Sequence, residues 1–259
     1  MVLTDFGRQL AAEAEKIEES FTNLDRMVLS WDDRPTGSIR FSVADGLLPL
    51  VGPMVSEVGR KHPGIRVEVE VNNGLSRVSQ LEADVVLRVA SSPPATLVGR
   101  RIGTLVGAPY ASHAYLQNAA DLPLAEHRWV RWAKPWQDFP VERWISANVP
   151  TSHVKATVNS NQALMSLVAQ GLGVGFLPCF AADADPRYIR LGKRVELAAA
   201  VWLLTHEDLR RTGRIAAFMK VVGEALLAKR RTIEGPFPDA ELEGIVPCGD
   251  LDDYGLRLT

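Results

Sequence analysis

Residues 38–71, "SIRFSVADGLLPLVGPMVSEVGRKHPGIRVEVEV", contain the pattern that decides the fold. Residues 38–44 are a predicted strand, and residues 65–71 alternate apolar and polar side chains with the period of two typical of a strand. The segment between them predicts a helix that ends before Pro63. Two strands joined by a helix pair in parallel, because the connection must cross back over the sheet. This stretch therefore predicts an α/β layer structure.

The same alternation continues along the chain. Further strands are predicted at 83–90, 127–132, 153–158, 173–178 and 198–205. Helices are predicted at 74–82, around 112–118, at 161–171 with Gly171 closing the helix, and over about six turns within 206–231. Residues 99–111 indicate an extended crossover segment. The region from 133 to 153 is rich in Trp and Pro and fits neither period. The residues after 231 show no clear period and predict a poorly ordered or loosely docked tail.

The N-terminal segment predicts a long helix that begins after Thr4, a good N-cap residue. Its apolar residues follow one another at steps of four and three, which is a heptad seam. The seam consists of Leu10, Ala14, Ile17, Phe21, Leu24 and Val28. So narrow an apolar stripe makes a helix only marginally stable on its own, so the seam indicates dimerisation. The alternative is that the stripe packs on the body of the same chain.

The composition excludes several classes of protein. A chain of 259 residues can bury a large core and is expected to hold two domains. Its net charge of −2 argues against a broad nucleic-acid-coating surface. Neither a membrane-spanning apolar stretch nor a secretory signal is visible. The two cysteines, Cys179 and Cys248, form no CxxC motif and are typical of a reduced, cytoplasmic protein.

The sequence shows no catalytic constellation. Its five histidines are not at metal-ligand spacing, and neither a GxSxG elbow nor a P-loop occurs. The "GLGVG" stretch at 171–175 precedes a strand, whereas a dinucleotide fingerprint follows one, so it predicts a helix end and a tight turn. We therefore predict no catalytic residue, no metal site and no cofactor.

Three short polar segments are better candidates for ligand binding. They are "ADG" at 44–46, "NNG" at 72–74 and "NSN" at 159–161, each at a point where a strand ends and a helix begins. Ligands of open α/β sheets collect at such ends, and the free N–H groups of helix starts attract anions. The alternative is that these residues only cap helices.

Arg88 lies within the apolar strand "VVLRVA". A buried guanidinium is costly unless it is paired. Asp45 is the expected partner, because both residues sit near strand C-terminal ends. Arg88 either forms a structural pair with Asp45 or contacts a ligand directly, and the two roles can overlap.

Several blocks of the sequence resemble LysR-type transcriptional regulators over residues 3–228. "LTDFGRQLAAEAEKI" resembles the start of that family's linker helix, and residues 36–74 resemble the first lobe of its effector-binding region. "LEADVVLRVA", "VNSNQALMSLVAQGLGVGFLP" and "VWLLTHEDLRRTGRIAAFMKVV" continue the resemblance in order. The resemblance implies a two-lobed, periplasmic-binding-protein-like α/β effector domain preceded by a long linker helix.

The resemblance also implies domain boundaries and a site. Residues 1–36 would be the linker and dimerisation helix, 37–104 with 206–229 the first lobe, 105–205 the second lobe, and 230–259 the tail. Effectors of the family bind in the cleft between the lobes. Carried over by position, the contacting residues would be Ala44, Asp45, Gly46, Asn73, Gly74, Ser160 and Asn161, with Arg88 as a further candidate.

The partners follow from the same resemblance. We expect a small-molecule effector, with an organic anion as the favoured class and the tryptophans of 129–144 as a potential aromatic wall. The alternative is a neutral or cationic effector, which would follow if Asp45 neutralises Arg88. We further expect a homodimer or homotetramer, DNA contact only through a winged helix-turn-helix that this sequence does not contain, and RNA polymerase as a further partner. The alternatives are a solute-binding protein of a transport system, which should carry a signal peptide, and an α/β enzyme, which should cluster perturbed titratable groups.

Overall fold

The computed structural model describes residues 34–73, 83–93, 95–133, 140–235 and 245–246, with residues 4, 6–7, 10 and 13–14 near the N-terminus. Within these ranges the strands are β1 (Gly37–Val43), β2 (Ile65–Val71), β3 (Val85–Ala90), β4 (Leu97–Ser112), β5 (Trp129–Trp132), β6 (Val154–Val158), β7 (Gly175–Pro178), β8 (Tyr188–Arg190), β9 (Arg194–His206) and β10 (Ile245–Val246). The α-helices are α1 (Leu48–Lys61), α2 (His113–Leu116), α3 (Pro140–Asn148), α4 (Asn161–Ala169), α5 (Cys179–Ala182), α6 (Gly213–Ala228) and α7 (Arg230–Ile233). None of the helices described here is long and apolar enough to cross a membrane.

The strands form one large sheet in the order β2-β1-β3-β9-β4-β7 and a separate pair, β5-β6. β1 lies between β2 and β3 and is parallel to both, with Phe41 opposite Val69 and Val85. β5 and β6 are also parallel. The predicted strands at 38–44 and 65–71 and the helix between them are confirmed, and so is the α/β layer structure.

Two long antiparallel strands connect two lobes. β4 has 16 residues and β9 has 13, and they pair with each other along most of their length. Ile102 of β4 packs in the core of the first lobe, whereas Tyr110 packs in the core of the second. At Gly99 the strands approach so closely that a Cβ atom would meet the Leu203 carbonyl oxygen, so this position requires glycine.

The core of the first lobe lies between the sheet and helices α1 and α6. Alternate residues of β1, among them Ile39 and Phe41, are fully buried there. The rings of Phe41 and Phe218 of α6 meet edge to face, with centroids 5.0 Å apart. This contact joins the first strand of the domain to its last long helix.

The second lobe is organised around α4. Leu164 and Val168 of this helix are fully buried and share a cluster with Leu177 of β7. The helix is closed by Gly171, whose φ of +79° is the left-handed conformation that favours glycine, as predicted. Trp129 of β5 is fully buried in an adjacent cluster.

Three expectations differ from the structure. The final helix is not continuous: α6 ends at Ala228, and the chain turns at Lys229 so that Ile233 of α7 is fully buried in the first core. The region that fits neither period contains α3. The tail from residue 230, expected to be poorly ordered or loosely docked, contains α7, which packs in the first core, and β10, which pairs with β9.

Some expectations concern residues that are largely outside the described ranges. Four seam residues, Ile17, Phe21, Leu24 and Val28, lie outside them, and so do the predicted helix at 74–82 and Gly74. Leu10 and Ala14 are described, and both are exposed within this single chain.

Candidate functional site

The ends of β1 and β6 meet across the junction of the two lobes. The Asp45 carboxylate, which follows β1, accepts a hydrogen bond at Oδ2 from the Ser160 hydroxyl at 2.6 Å. The same oxygen accepts the backbone N–H of Gln162 at 3.3 Å. Asp45 therefore binds the N-terminus of α4. The first backbone N–H groups of a helix have no partner within the helix, and the helix dipole places a partial positive charge there.

The end of β2 joins the same cluster. The backbone N–H of Asp45 donates to Oδ1 of Asn73 at 2.9 Å, and Nδ2 of Asn73 donates to the Asn159 carbonyl oxygen at 3.4 Å. We call Asp45, Asn73, Asn159, Ser160 and Gln162 the interlobe contact. It places three strand ends from the two lobes within hydrogen-bonding distance of one another.

Ser160 has two roles in this contact. It is the N-cap of α4, with extended backbone dihedrals, and its hydroxyl oxygen accepts the Ala163 N–H at 3.4 Å. The hydroxyl hydrogen is thereby left to donate to Asp45. The capping role that sequence reasoning offered as an alternative is therefore combined with an interlobe bond.

The remaining predicted residues lie beside the contact. A Cβ atom on Gly46 would be 3.5 Å from Cβ of Asn161, which is ordinary van der Waals distance. Asn161 is buried, and its Nδ2 is 3.3 Å from the Met165 sulfur. The N–H of Ala44 donates to the Leu87 carbonyl oxygen at 3.0 Å. The structure therefore brings together Ala44, Asp45, Gly46, Asn73, Ser160 and Asn161.

The predicted pair between Arg88 and Asp45 is wrong. Arg88 is only 5% exposed, and its guanidinium donates to the Ser42 hydroxyl at 2.7 Å and to the Leu87 carbonyl oxygen at 3.1 Å. Successive residues of a strand point to opposite faces of the sheet. Since Leu87 faces the first core, Arg88 points to the other face, whereas Asp45 lies beyond β1 and points to α4.

The burial of Arg88 has an electrostatic consequence. Desolvation lowers its pKa to about 10, and the nearby Glu70 carboxylate opposes this shift. The guanidinium is still charged at neutral pH, and its buried Nε has no hydrogen-bond partner among the described residues. Arg88 therefore adds a cation to the sheet but does not neutralise the interlobe contact.

The tryptophans predicted to form an aromatic wall are dispersed. Trp129 is fully buried, and its indole N–H donates to the Leu124 carbonyl oxygen at 3.0 Å, so it does not reach the interlobe contact. Trp132 ends β5, next to the end of β6, and is half-buried. Trp144 lies on α3 against Trp129, and Trp136 is outside the described ranges.

Two cavities lie near these elements. One of about 410 Å³ adjoins the interlobe contact and is bordered by both lobes, with Pro49 on one side and Gln162, Met165 and Tyr188 on the other. Another, of about 520 Å³, lies within the second lobe and is lined by Tyr115, Arg128 and Gly171 among others. The first has the dimensions of a small-molecule site, and it shares Gln162 with the interlobe contact, although none of the predicted strand-end residues lines it.

The interlobe contact also shows what sequence reasoning missed. Gln162 participates only through its backbone N–H, which leaves no signal in the residue type. Ser42, the partner of Arg88, is an ordinary polar residue of an alternating strand. The groups available at the contact are hydrogen-bond donors and acceptors with one carboxylate, an arrangement suited to binding.

Comparison with known proteins identifies the fold and the family. The family model "LysR substrate binding domain" matches residues 32–227. A curated HTH-type transcriptional regulator of Xanthomonas campestris pv. campestris (strain 8004) is 27% identical over 116 residues. That match covers 44% of this chain and 34% of the regulator, so it spans about a third of the relative's length.

Several solved structures have a similar fold. The full-length Vibrio cholerae virulence activator AphB superposes with a TM-score of 0.63 at 18% identity, covering 86% of this chain and 80% of AphB. The regulatory domain of CrgA from Neisseria meningitidis gives 0.60 at 19% identity, with coverages of 74% and 100%. The effector domain of AmpR from Pseudomonas aeruginosa gives 0.60 at 16% identity, with coverages of 75% and 97%.

These findings confirm the two-lobed, periplasmic-binding-protein-like fold expected from the sequence. They also decide against the α/β-enzyme alternative, because the family and the similar proteins are transcriptional regulators and not enzymes.

Proposed function

This chain belongs to the LysR substrate-binding-domain family, and we propose that it senses a small-molecule effector between its two lobes. Within a LysR-type transcriptional regulator, the bound effector would change how the regulator acts on DNA and hence on transcription. The observation that carries this proposal is the interlobe contact, in which a single carboxylate oxygen of the first lobe binds two donors at the start of α4.

The hydrogen bonds of the interlobe contact have free energies of the size that the binding of a ligand can offset. A hydrogen bond to a charged group contributes about 1.5–3 kcal/mol, and a neutral one about 0.5–1.5 kcal/mol. A regulatory coupling needs only about 1–3 kcal/mol. A ligand that replaces or adds to these few bonds can therefore shift the arrangement of the lobes.

We place the effector among Ala44, Asp45, Gly46, Asn73, Gly74, Ser160 and Asn161, next to the cavity bordered by both lobes. The first lobe would comprise residues 37–104 and 206–229, and the second residues 105–205. The change of core along β4 falls close to this boundary, since Ile102 and Leu105 belong to the first core and Val106 to the second, whereas Val201 and Leu203 of β9 still belong to the first core.

The experiment is a thermal-shift screen of small metabolite-like compounds, followed by titration of the compounds that stabilise the chain. At a hundredfold excess over its dissociation constant, a true effector should add about 2.7 kcal/mol to the free energy of unfolding.

Ser160→Ala removes the hydroxyl of the interlobe contact and should weaken binding. Ser56→Ala makes the same change at an exposed position of α1 and is the control. Equal binding by both variants and the parent chain would contradict the proposed site.

The regulator would act as a homodimer or homotetramer in the cytoplasm, and its contacts with DNA and RNA polymerase would be made by the whole protein. The heptad seam from Leu10 to Val28 supports the dimer.

Replacing Ile17 and Phe21 by Asp places two charges in the seam, and sedimentation velocity at micromolar concentration should then show monomers. An unchanged oligomer would show that other surfaces hold the assembly.

A further inference from the structure

Asp45 places a carboxylate where a ligand anion would otherwise bind. The residue is 5% exposed, and its Oδ2 already accepts both the Ser160 hydroxyl and the Gln162 N–H at the start of α4. A helix N-terminus attracts anions because its first N–H groups lack partners. Here the protein itself supplies the anion, so these donors are occupied before any ligand arrives.

The described residues provide no cationic side chain that binds the Asp45 carboxylate. Among the described residues, the groups that bind its carboxylate are a neutral hydroxyl and a backbone N–H. Arg88, the cation that the sequence suggested as its partner, donates to the Ser42 hydroxyl and to the Leu87 carbonyl oxygen instead. Within the part of the chain that the structure describes, the interlobe contact therefore carries a net negative charge that is offset by the partial charge of a helix end and by no cationic side chain bound to it.

Asp45 is also held in place. Its N–H donates to Asn73, whose side chain in turn bonds to the Asn159 carbonyl of the second lobe. The carboxylate cannot turn away from α4 by a simple side-chain rotation without losing bonds to Ser160 and Gln162. A ligand carboxylate would have to displace it and would then lie within a few ångströms of a second negative charge, in a partly desolvated site.

A ligand that donates hydrogen bonds meets the opposite situation. The second carboxylate oxygen, Oδ1, has no hydrogen-bond partner among the described residues, and a cationic amidinium or ammonium could bind it while Oδ2 keeps its bonds to α4. Charge-assisted bonds of this kind are shorter and stronger than neutral ones. Such a ligand would add to the interlobe contact, whereas a carboxylate would have to break it.

We propose that Asp45 determines the charge selectivity of the interlobe site, so that the effector is a cationic or hydrogen-bond-donating small molecule and not a carboxylate. This inference rests on the proposed function, because it assigns a ligand class to the same site. It replaces the organic anion favoured by the sequence, since that expectation assumed open helix starts and an Arg88 directed at the cleft.

The test compares three probes of the same size and shape: benzamidine, which is cationic, benzamide, which is neutral, and benzoate. Their dissociation constants are measured by NMR titration on the full chain, following the backbone amides of residues 45, 73, 160 and 162. Benzamidine should shift these amides and bind at least about tenfold more tightly than benzoate, with benzamide between them.

Two variants separate charge from structure. Asp45→Asn keeps the shape and an oxygen acceptor for Ser160 and Gln162, and it should abolish the preference for benzamidine. Asp84→Asn removes the same charge from another buried aspartate, whose carboxylate accepts the Arg40 N–H at 2.8 Å in the first lobe. This control should keep the preference of the parent chain.

Four outcomes would overturn the inference. If benzoate binds at these amides as tightly as benzamidine, or if Asp45→Asn keeps the preference, the site binds ligands and only the assigned charge is wrong. Loss of the preference in Asp84→Asn as well would assign it to the overall charge of the lobe. If none of the probes shifts these amides while compounds from the thermal screen bind elsewhere, the proposed site fails together with the inference.

Discussion

Truncation of Phe218 to alanine is expected to lower the free energy of unfolding by about 3–5 kcal/mol, which is typical when a buried aromatic side chain is removed. Phe218 is completely buried on α6, and its ring meets Phe41 of β1 edge to face. The change removes apolar burial and this ring contact, which alone is worth about 0.5–1.5 kcal/mol. It also leaves a cavity between the sheet and the last long helix of the first lobe.

Urea unfolding followed by tryptophan fluorescence measures the effect. Phe6→Ala is the matched control, because Phe6 is 75% exposed and the same truncation there should change stability by less than about 0.5 kcal/mol. A loss below about 1 kcal/mol for Phe218→Ala would mean that the first core tolerates the cavity and that α6 is not essential to it.

The second large effect is expected at Glu142 of α3. Its carboxylate is 2% exposed and accepts Nε of Arg131 at 2.8 Å and the backbone N–H of Trp132 at 3.0 Å. Burial raises the pKa of Glu142, and the hydrogen bonds from Trp132 and Arg131 oppose this shift. Glu142→Ala leaves a largely buried guanidinium without its counter-ion, so we expect a loss of about 3 kcal/mol.

Thermal and urea unfolding test this prediction with two controls. The double variant Arg131→Leu/Glu142→Leu should recover much of the loss, because replacing both members of a buried pair by apolar residues avoids the unpaired charge. Glu57→Ala removes a glutamate from an exposed pair with Arg60 on α1, and it should have little effect. Equal effects of Glu142→Ala and Glu57→Ala would show that the pair does not fasten α3 to β5.

The strands and helices could be predicted wherever their signal is local. β1, α1 and β2 follow directly from alternation and from Pro63, and the end of α4 follows from Gly171. α3 was missed because its Trp and Pro neighbours obscure the helical period. The break at Lys229 was missed because it depends on the burial of Ile233 in a core formed by distant residues.

The site could be predicted only to the level of strand ends. The rule that ligands collect at the carboxyl ends of strands identified Asp45, Asn73 and Ser160, and the structure brings these residues together. The rule does not specify side-chain direction, which is why Arg88 was assigned to Asp45. That Asp45 binds the N-terminus of a helix in the other lobe depends on the packing of the lobes, which a single sequence does not reveal.

The most direct test of the account is a crystal structure of the chain with the most stabilising compound from the thermal screen. We predict electron density between the lobes in contact with Oδ1 of Asp45, while Oδ2 keeps its 2.6 Å bond from the Ser160 hydroxyl. Density confined to the cavity beside Tyr115 and Arg128 of the second lobe, with none at Asp45, would contradict this prediction.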